Sequence, residues 1–188
     1  MTEIQHLTMD QLMAGLDEIR QSPREGGVVE MIVSRPDVDA REILDEGRIC
    51  AVEGLVGDNW RTRGSSQTSD DFGHPEMQLT LMNSRAIQLI AQDRSRWCLA
   101  GDQFFVDLDL SHENLPHGTR LKLGSSVIEI TSEPHTGCKK FVQRFGLDAM
   151  KFVNSEIGGQ LNLRGVNAKV IEDGIVRVGD AVTKCPDE

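Results

Sequence analysis

The sequence predicts a mainly β protein, a closed or partly closed β-barrel with a few short helices. Three observations carry that prediction. Short apolar runs recur from residue 28 onward, separated by polar or glycine-containing stretches. Glycine supplies 18 of the 188 residues, above the usual ~7%, which suits frequent turns. Helical patterns are few and do not alternate with the apolar runs, which argues against a doubly wound parallel sheet.

In chain order, residues 1–27 read as an N-terminal helix and linker, and residues 28–188 as the barrel domain. Thr8 can cap the helix, Gln11 can complete a capping box, and Leu7 and Leu12 stand at staple positions. Leu12, Leu16 and Ile19 continue one face until Gln21-Ser22-Pro23 stops it. Val28 to Val33 is an apolar, β-branched strand ended by Ser34-Arg35-Pro36. Gln78-Leu79-Thr80-Leu81 alternates, after which Asn83 or Ser84 caps a short helix running to about Gln92. Phe104, Val106, Leu108 and Leu110 share one strand face, with Asp107 and Asp109 on the other. Val127 to Ile130 is another strand. Phe141, Phe145, Ala149 and Phe152 fall three or four apart, a helical spacing that Gly146 interrupts. Residues 166–182 read as a hairpin turning at Glu172-Asp173-Gly174. The polar loop 57–74 has almost nothing to bury, which marks a functional or a disordered segment.

Composition narrows the function. Twenty basic residues against 30 acidic ones give a net charge of −10, which argues against a nucleic-acid binder or an anionic-membrane binder. No run of 18 apolar residues occurs, and Met1-Thr2-Glu3-Ile4-Gln5-His6 lacks the pattern of a signal peptide. Cys50, Cys98, Cys138 and Cys185 are widely spaced, so a reducing, cytoplasmic setting is expected. Glycine-rich nucleotide loops, the nucleophile elbow and the His-Glu-x-x-His metal motif are all missing from the sequence.

Cys138 is the most informative residue. It follows Thr136-Gly137, opens a helical stretch and precedes Lys139 and Lys140, with His135 three residues upstream. A helix start beside cations suits a cysteine that attacks sulfur, carries a persulfide or binds a soft metal. Residues 134–165 carry five basic and two acidic side chains, a cationic segment in an acidic chain and a seat for an anionic ligand. The bland alternative is a buried cysteine beside solvated lysines. Cys50 and Cys98 lie in apolar contexts where cysteine acts as a small hydrophobe, and Cys185 lies in a tail. His135 with Cys138, and His112 with His117, lack the second ligand pair a zinc site needs.

These residues carry a resemblance. Gly54-Leu55-Val56-Gly57-Asp58, Gln78 to Asn83, Glu113-Asn114-Leu115, Gly137-Cys138-Lys139-Lys140-Phe141, Arg144-Phe145-Gly146, Leu163-Arg164-Gly165 and Gly174 to Asp180 follow one another as markers. Their order resembles that of the molybdenum cofactor sulfurase C-terminal (MOSC) domain family, in a stand-alone, single-domain form. The resemblance implies a pyruvate-kinase-barrel-like β-barrel and a functional cysteine, which maps onto Cys138 as catalytic residue and metal ligand. It implies molybdenum cofactor (molybdopterin) binding or sulfane-sulfur transfer, hence reduction of N-hydroxylated compounds or delivery of sulfur to a metal–sulfur centre. Asp58, Arg61, His74, Lys139 and Arg164 are the candidate cofactor-binding residues. A redox partner or a cysteine desulfurase is the implied partner, and pyridoxal phosphate would enter only through that desulfurase. The competing class is a non-catalytic barrel that binds a small anion or a partner. Asp58 and Arg164 have structural readings too, as a turn former and a salt bridge.

Overall fold

The computed structural model describes residues 5–63 and 73–186, so the middle of the polar loop, residues 64–72, lies outside the described residues. The chain opens with α1 (Met9–Ala14), whose capping box forms as its sequence dictates. Gln11 N donates to Thr8 Oγ1 at 3.4 Å, and Thr8 N donates to Gln11 Oε1 at 2.9 Å. A second helix, α2 (Leu16–Arg20), follows after Gly15. That glycine splits what the apolar spacing reads as one helix. A Cβ there would stand 2.5 Å from the end of the Leu89 side chain, so a larger residue would have to push that leucine aside. Leu12, Leu16 and Ile19 are buried, as their shared face predicts.

Four strands come next: β1 (Gly27–Ser34), β2 (Glu42–Leu44), β3 (Glu46–Cys50) and β4 (Gly54–Leu55). A 3-10 turn at Pro75–Met77 leads into β5 (Leu79–Asn83), α3 (Ser84–Ala91), a second 3-10 stretch at Arg94–Ala100 and β6 (Phe104–Asp107). Then follow β7 (Arg120–Leu123), β8 (Ser126–Ile130), α4 (Lys139–Phe145), α5 (Leu147–Val153) and α6 (Glu156–Gln160). The last strands are β9 (Val166–Glu172), β10 (Gly174–Arg177) and β11 (Ala181–Lys184). Asn83 is the cap of α3, its side chain accepting from Ala86 N at 3.0 Å.

Seven strands close a barrel in the order β11-β7-β8-β9-β5-β6-β1, sealed where Gly27 and Val28 of β1 pair with Val182 and Ala181 of β11. Closure removes both edges, and β2 merely extends β1. A small separate sheet holds β10, β3 and β4. Among the described residues, the parallel pair is β5 with β6, joined by a crossover through α3. Strand alternation builds two cores from one sequence. Val29, Leu81, Phe104 and Val106 point into the barrel, while Met82 and Phe105 point outward under the helices. The outer core takes Leu12, Leu16, Ile19, Phe141, Phe145 and Phe152, so α4 and α5 are pinned to the wall by the phenylalanines their spacing picks out.

Two sequence expectations are corrected here. The strand at Phe104 ends at Asp107, although Leu108 and Leu110 still enter the barrel core. Residues 166–182 do not form a hairpin: β9 is bonded on its two sides by β5 and β8, which leaves no edge for β10. The chain instead crosses over, β10 pairs with β3, and Asp173 accepts from Ala51 N at 2.9 Å.

Candidate functional site

The site is built around the loop that leaves β8 and ends at α4. Three contacts fix its course. Thr131 Oγ1 donates to Glu76 O at 2.6 Å, and Asn167 Nδ2 donates to Glu133 O at 3.0 Å. Asn154 then brackets Gly137, accepting from its N–H at 2.8 Å and donating to its carbonyl at 3.2 Å. The loop delivers Cys138 as the N-cap of α4. Its side chain is exposed and makes no capping bond, while its carbonyl accepts from Val142 N. Cys50, Cys98 and Cys185 are half-buried free thiols. Lys139 and Lys140 are exposed at the head of the helix, and Lys140 and Arg144 both reach the Asp39 carboxylate, at 3.1 and 2.8 Å. Lys140 and Arg144 hold that carboxyl below its ordinary range, chiefly through the Lys140 bond.

Beneath the loop lie two buried arginine–aspartate pairs that clamp one turn between them. Arg35 Nε and Nη2 take the two oxygens of Asp58 at 2.7 and 2.8 Å, and Nη1 donates to Gly101 O at 2.9 Å. Asp58 is fully buried and also accepts from the backbone N–H of Arg35 and of Trp60. Arg164 Nη1 pairs with Asp102 at 2.5 Å, and its Nη2 donates to Ala100 O at 2.9 Å. The Phe141 ring lies 5.1 Å from the Arg164 guanidinium, which ties α4 to this pair. Desolvating such charges costs several kcal/mol per ion, which the carbonyls of Gly101 and Ala100 help offset, while the buried Arg164 Nε is left without a partner.

Asp102 serves a third group. His135 Nδ1 lies 3.5 Å from Asp102 Oδ1, and neither atom has a hydrogen-bond partner. Burial drives the His135 pKa down to about 3, with further push from the Arg164, Arg35 and Arg63 charges and an opposing pull from Asp102. The imidazole is therefore neutral at pH 7. His135 and Arg164 line a cavity of about 390 Å³ with His117, Asn154, Asn162 and Asn167 among the other lining residues. His117 Nδ1 sits 2.9 Å from Thr131 O, which leaves its Nε2 as the acceptor nitrogen.

Arg164 is linked to the helix that Cys138 and Lys139 open only through the Phe141 ring, and neither Cys138 nor Lys139 lines the cavity that Arg164 lines; Asp58 is engaged by Arg35. Arg61 is exposed on the polar loop. His74 caps the 3-10 turn, its Nδ1 accepting from Glu76 N at 3.2 Å and its carbonyl from Trp60 Nε1 at 3.2 Å. Asp102, Arg35 and Asn154 escape sequence reasoning, since nothing local marks them. The one signal was an aspartate in Gly101-Asp102-Gln103, directly before an apolar strand, where a charge demands a partner. Among the described residues no group of three or more His, Cys, Asp or Glu side chains could hold a metal ion by itself. None of their helices is long and apolar enough to cross a membrane.

A seven-stranded barrel with a loop-borne cysteine at the start of a helix and a buried Leu163-Arg164-Gly165 turn defines a class. The chain belongs to the MOSC domain family, whose model matches residues 69–183. Solved structures agree on the fold. YuaD from Bacillus subtilis superposes with a TM-score of 0.59 at 14% identity, covering 86% of this chain and 97% of that one. YiiM from Geobacillus stearothermophilus gives 0.58 at 10% identity over 85% and 75% of the two chains. YiiM from Escherichia coli gives 0.54 at 18% over 86% and 71%. No curated protein matches the sequence.

Proposed function

We propose that this MOSC protein works through Cys138 as a sulfane-sulfur acceptor that passes sulfur between proteins. The observation that carries the reading is the exposure of Cys138 outside the cavity lining, where another protein's sulfur can reach it. Attack of the Cys138 thiolate on the outer sulfur of a donor persulfide forms one S–S bond and breaks another. The donor leaves as a thiolate, so no outside oxidant or reductant is needed. Lys139 and Lys140 place positive charge beside the sulfur, which favours the anionic forms of both reactants. A cysteine desulfurase, which brings its own pyridoxal phosphate, is the matching donor.

A second reading draws on the cavity. Molybdenum takes soft ligands, so the Cys138 thiolate suits the molybdenum cofactor as well. When bound, that cofactor supplies two-electron redox chemistry. This chain would contribute Cys138 as metal ligand, Lys139 as a nearby cation, and the cavity amides of Asn162 and Asn167 as hydrogen-bonding groups. Both η nitrogens of Arg164 are already engaged, and its buried Nε is the donor left without a partner at the cavity wall.

The test runs both readings on one preparation. Protein treated with a cysteine desulfurase and ³⁵S-cysteine should gain one label per chain, and Cys138→Ser should gain none. Label absent from Cys138 would overturn the sulfur reading. Molybdenum near one equivalent in protein from a cofactor-competent host, lost in Cys138→Ser, would establish the cofactor reading instead.

A further inference from the structure

The approach to Cys138 is held by side chains alone. Thr131 N still donates to Asn167 O, and the Cys138 carbonyl already accepts from Val142 N. Between them, no backbone group of residues 132–137 bonds to another backbone group among the described residues. Two amides anchor that stretch instead: Asn167 Nδ2 on Glu133 O at 3.0 Å, and Asn154 on Gly137. Asn154 is the last anchor before the sulfur, and it grips Gly137 twice. Its Oδ1 accepts from Gly137 N at 2.8 Å, and its Nδ2 donates to Gly137 O at 3.2 Å. Turning the amide over would set NH₂ against N–H and oxygen against carbonyl, so its partners fix its orientation.

Asn154 is itself a firm post. Its N–H donates to Met150 O and Phe152 O at the end of α5, Phe152 and Val153 are buried beside it, and Ser155 caps α6 directly after it. Gly137 lets the loop close on this post, since a Cβ there would stand 3.1 Å from Val153 Cγ2 and 3.2 Å from Met150 Cγ. Cys138 adds no bond of its own, because its side chain caps nothing. The direction of its sulfur is therefore set by the two peptides that flank its Cα. The following one is fixed by Val142 N in the first turn of α4, and the preceding one by Asn154 Nδ2 on Gly137 O.

We propose that Asn154 is the positioning residue of this site: by holding the Gly137–Cys138 peptide it fixes the direction in which Cys138 presents its sulfur to a protein-bound persulfide. The proposal rests on the sulfur-transfer reading above. In that step the Cys138 thiolate bonds to the outer sulfur of the donor, the donor's S–S bond breaks, and the electron pair leaves with the donor thiolate. Attack runs in line with the bond that breaks, so a donor docked on this protein reacts only when Cys138 Sγ lies on that line. Misplacement by about 1 Å can cost roughly 100-fold in rate. A small, freely diffusing reagent makes no such demand, because it meets the exposed sulfur from whichever side is open.

Asn154→Ala removes both bonds at an exposed position, so the fold should melt within a few degrees of the parent. Iodoacetamide should alkylate its Cys138 within about threefold of the parent rate, yet transfer from a persulfide-loaded cysteine desulfurase should lose about 10- to 100-fold in kcat with little change in KM. Transfer at the parent kcat would overturn the proposal, as would alkylation that falls in step with transfer, since the sulfur would then be lost to every reagent alike. Asn154→Asp keeps an acceptor for Gly137 N but sets a carboxylate oxygen against Gly137 O, and it should lose kcat as well. Full transfer by this variant would overturn the role given to the carbonyl bond. One measurement stands apart from transfer: exchange of the Gly137 amide proton should quicken in Asn154→Ala, and unchanged exchange would overturn the grip itself. If the parent protein takes no sulfur at all, the sulfur-transfer reading fails and the positioning role with it; the Gly137 exchange then decides only whether Asn154 holds the loop.

Discussion

At the scale of single residues, Arg164 shows how a buried charge is held by geometry rather than by charge alone. Its fork reaches the Asp102 carboxylate and the Ala100 carbonyl together, with Phe141 beneath it. Lysine carries the same charge but cannot span both acceptors or present a flat face to the ring. Arg164→Lys should therefore lose a charge-assisted bond worth about 1.5–3 kcal/mol. In a chain of this length that corresponds to a fall of about 3–12 °C in Tm, readable by calorimetry. An unchanged Tm would show that the buried pair contributes nothing net. Cys138 offers a second residue-scale expectation. As the exposed thiol among half-buried ones, it should be alkylated by iodoacetamide before Cys50 and Cys98. Peptide mapping after brief labelling decides, and equal labelling of all three would count against a selectively reachable sulfur.

At the scale of elements, α4 matters because it carries Cys138 at its head and the Arg164 stacking ring in its first turn. Phe141 is buried in the outer core, so Phe141→Ala should cost about 3–5 kcal/mol and loosen α4 from the barrel wall. Denaturant unfolding gives the cost. Faster amide exchange confined to α4 and its preceding loop would show that the helix is released as a unit. This element was legible in the sequence: the phenylalanine spacing and the Gly146 break foretell α4 and α5, and Gly146 does take φ +89°. The Thr8–Gln11 box and the Asn83 cap were legible for the same reason, that partners three residues apart meet within a single turn. What stayed hidden is non-local. The pairing of β10 with β3 depends on β9 having both sides taken, which no window around Glu172-Asp173-Gly174 records. Arg35 meets Asp58 across 23 residues, and Arg164 meets Asp102 across 62. Cys138 could be picked out from its neighbours in the chain, but the clamp beneath it exists only once the barrel closes.

At the scale of the whole molecule, the buried site sets how the protein answers to pH. His135 titrates near its ordinary value of 6.5 in the unfolded chain and at about 3 in the folded one. Between those values the unfolded state binds the extra proton, so acidification favours unfolding. The stability that His135 contributes is complete above pH 6.5 and is lost as pH falls toward 3. Its slope reaches at most about 1.4 kcal/mol per pH unit, the value for one proton. Carboxylates held below their usual range also weaken the fold in acid. Asp39, Asp93 and Glu129 begin to do so only as pH drops into the carboxylate range, and Asp39 and Asp93 are solvated groups of small effect. The window from pH 6.5 to 5 therefore excludes these carboxylates, and comparison with a His135 variant separates this histidine from the other four. Urea midpoints taken at pH 7, 6 and 5 should fall for the parent protein and fall less for His135→Asn, whose side chain does not titrate. Comparing slopes removes any fixed cost of the substitution. Parallel curves would show that His135 reaches solvent and protonates in the folded state, and that the burial drawn for the Asp102–His135–Arg164 cluster is too deep.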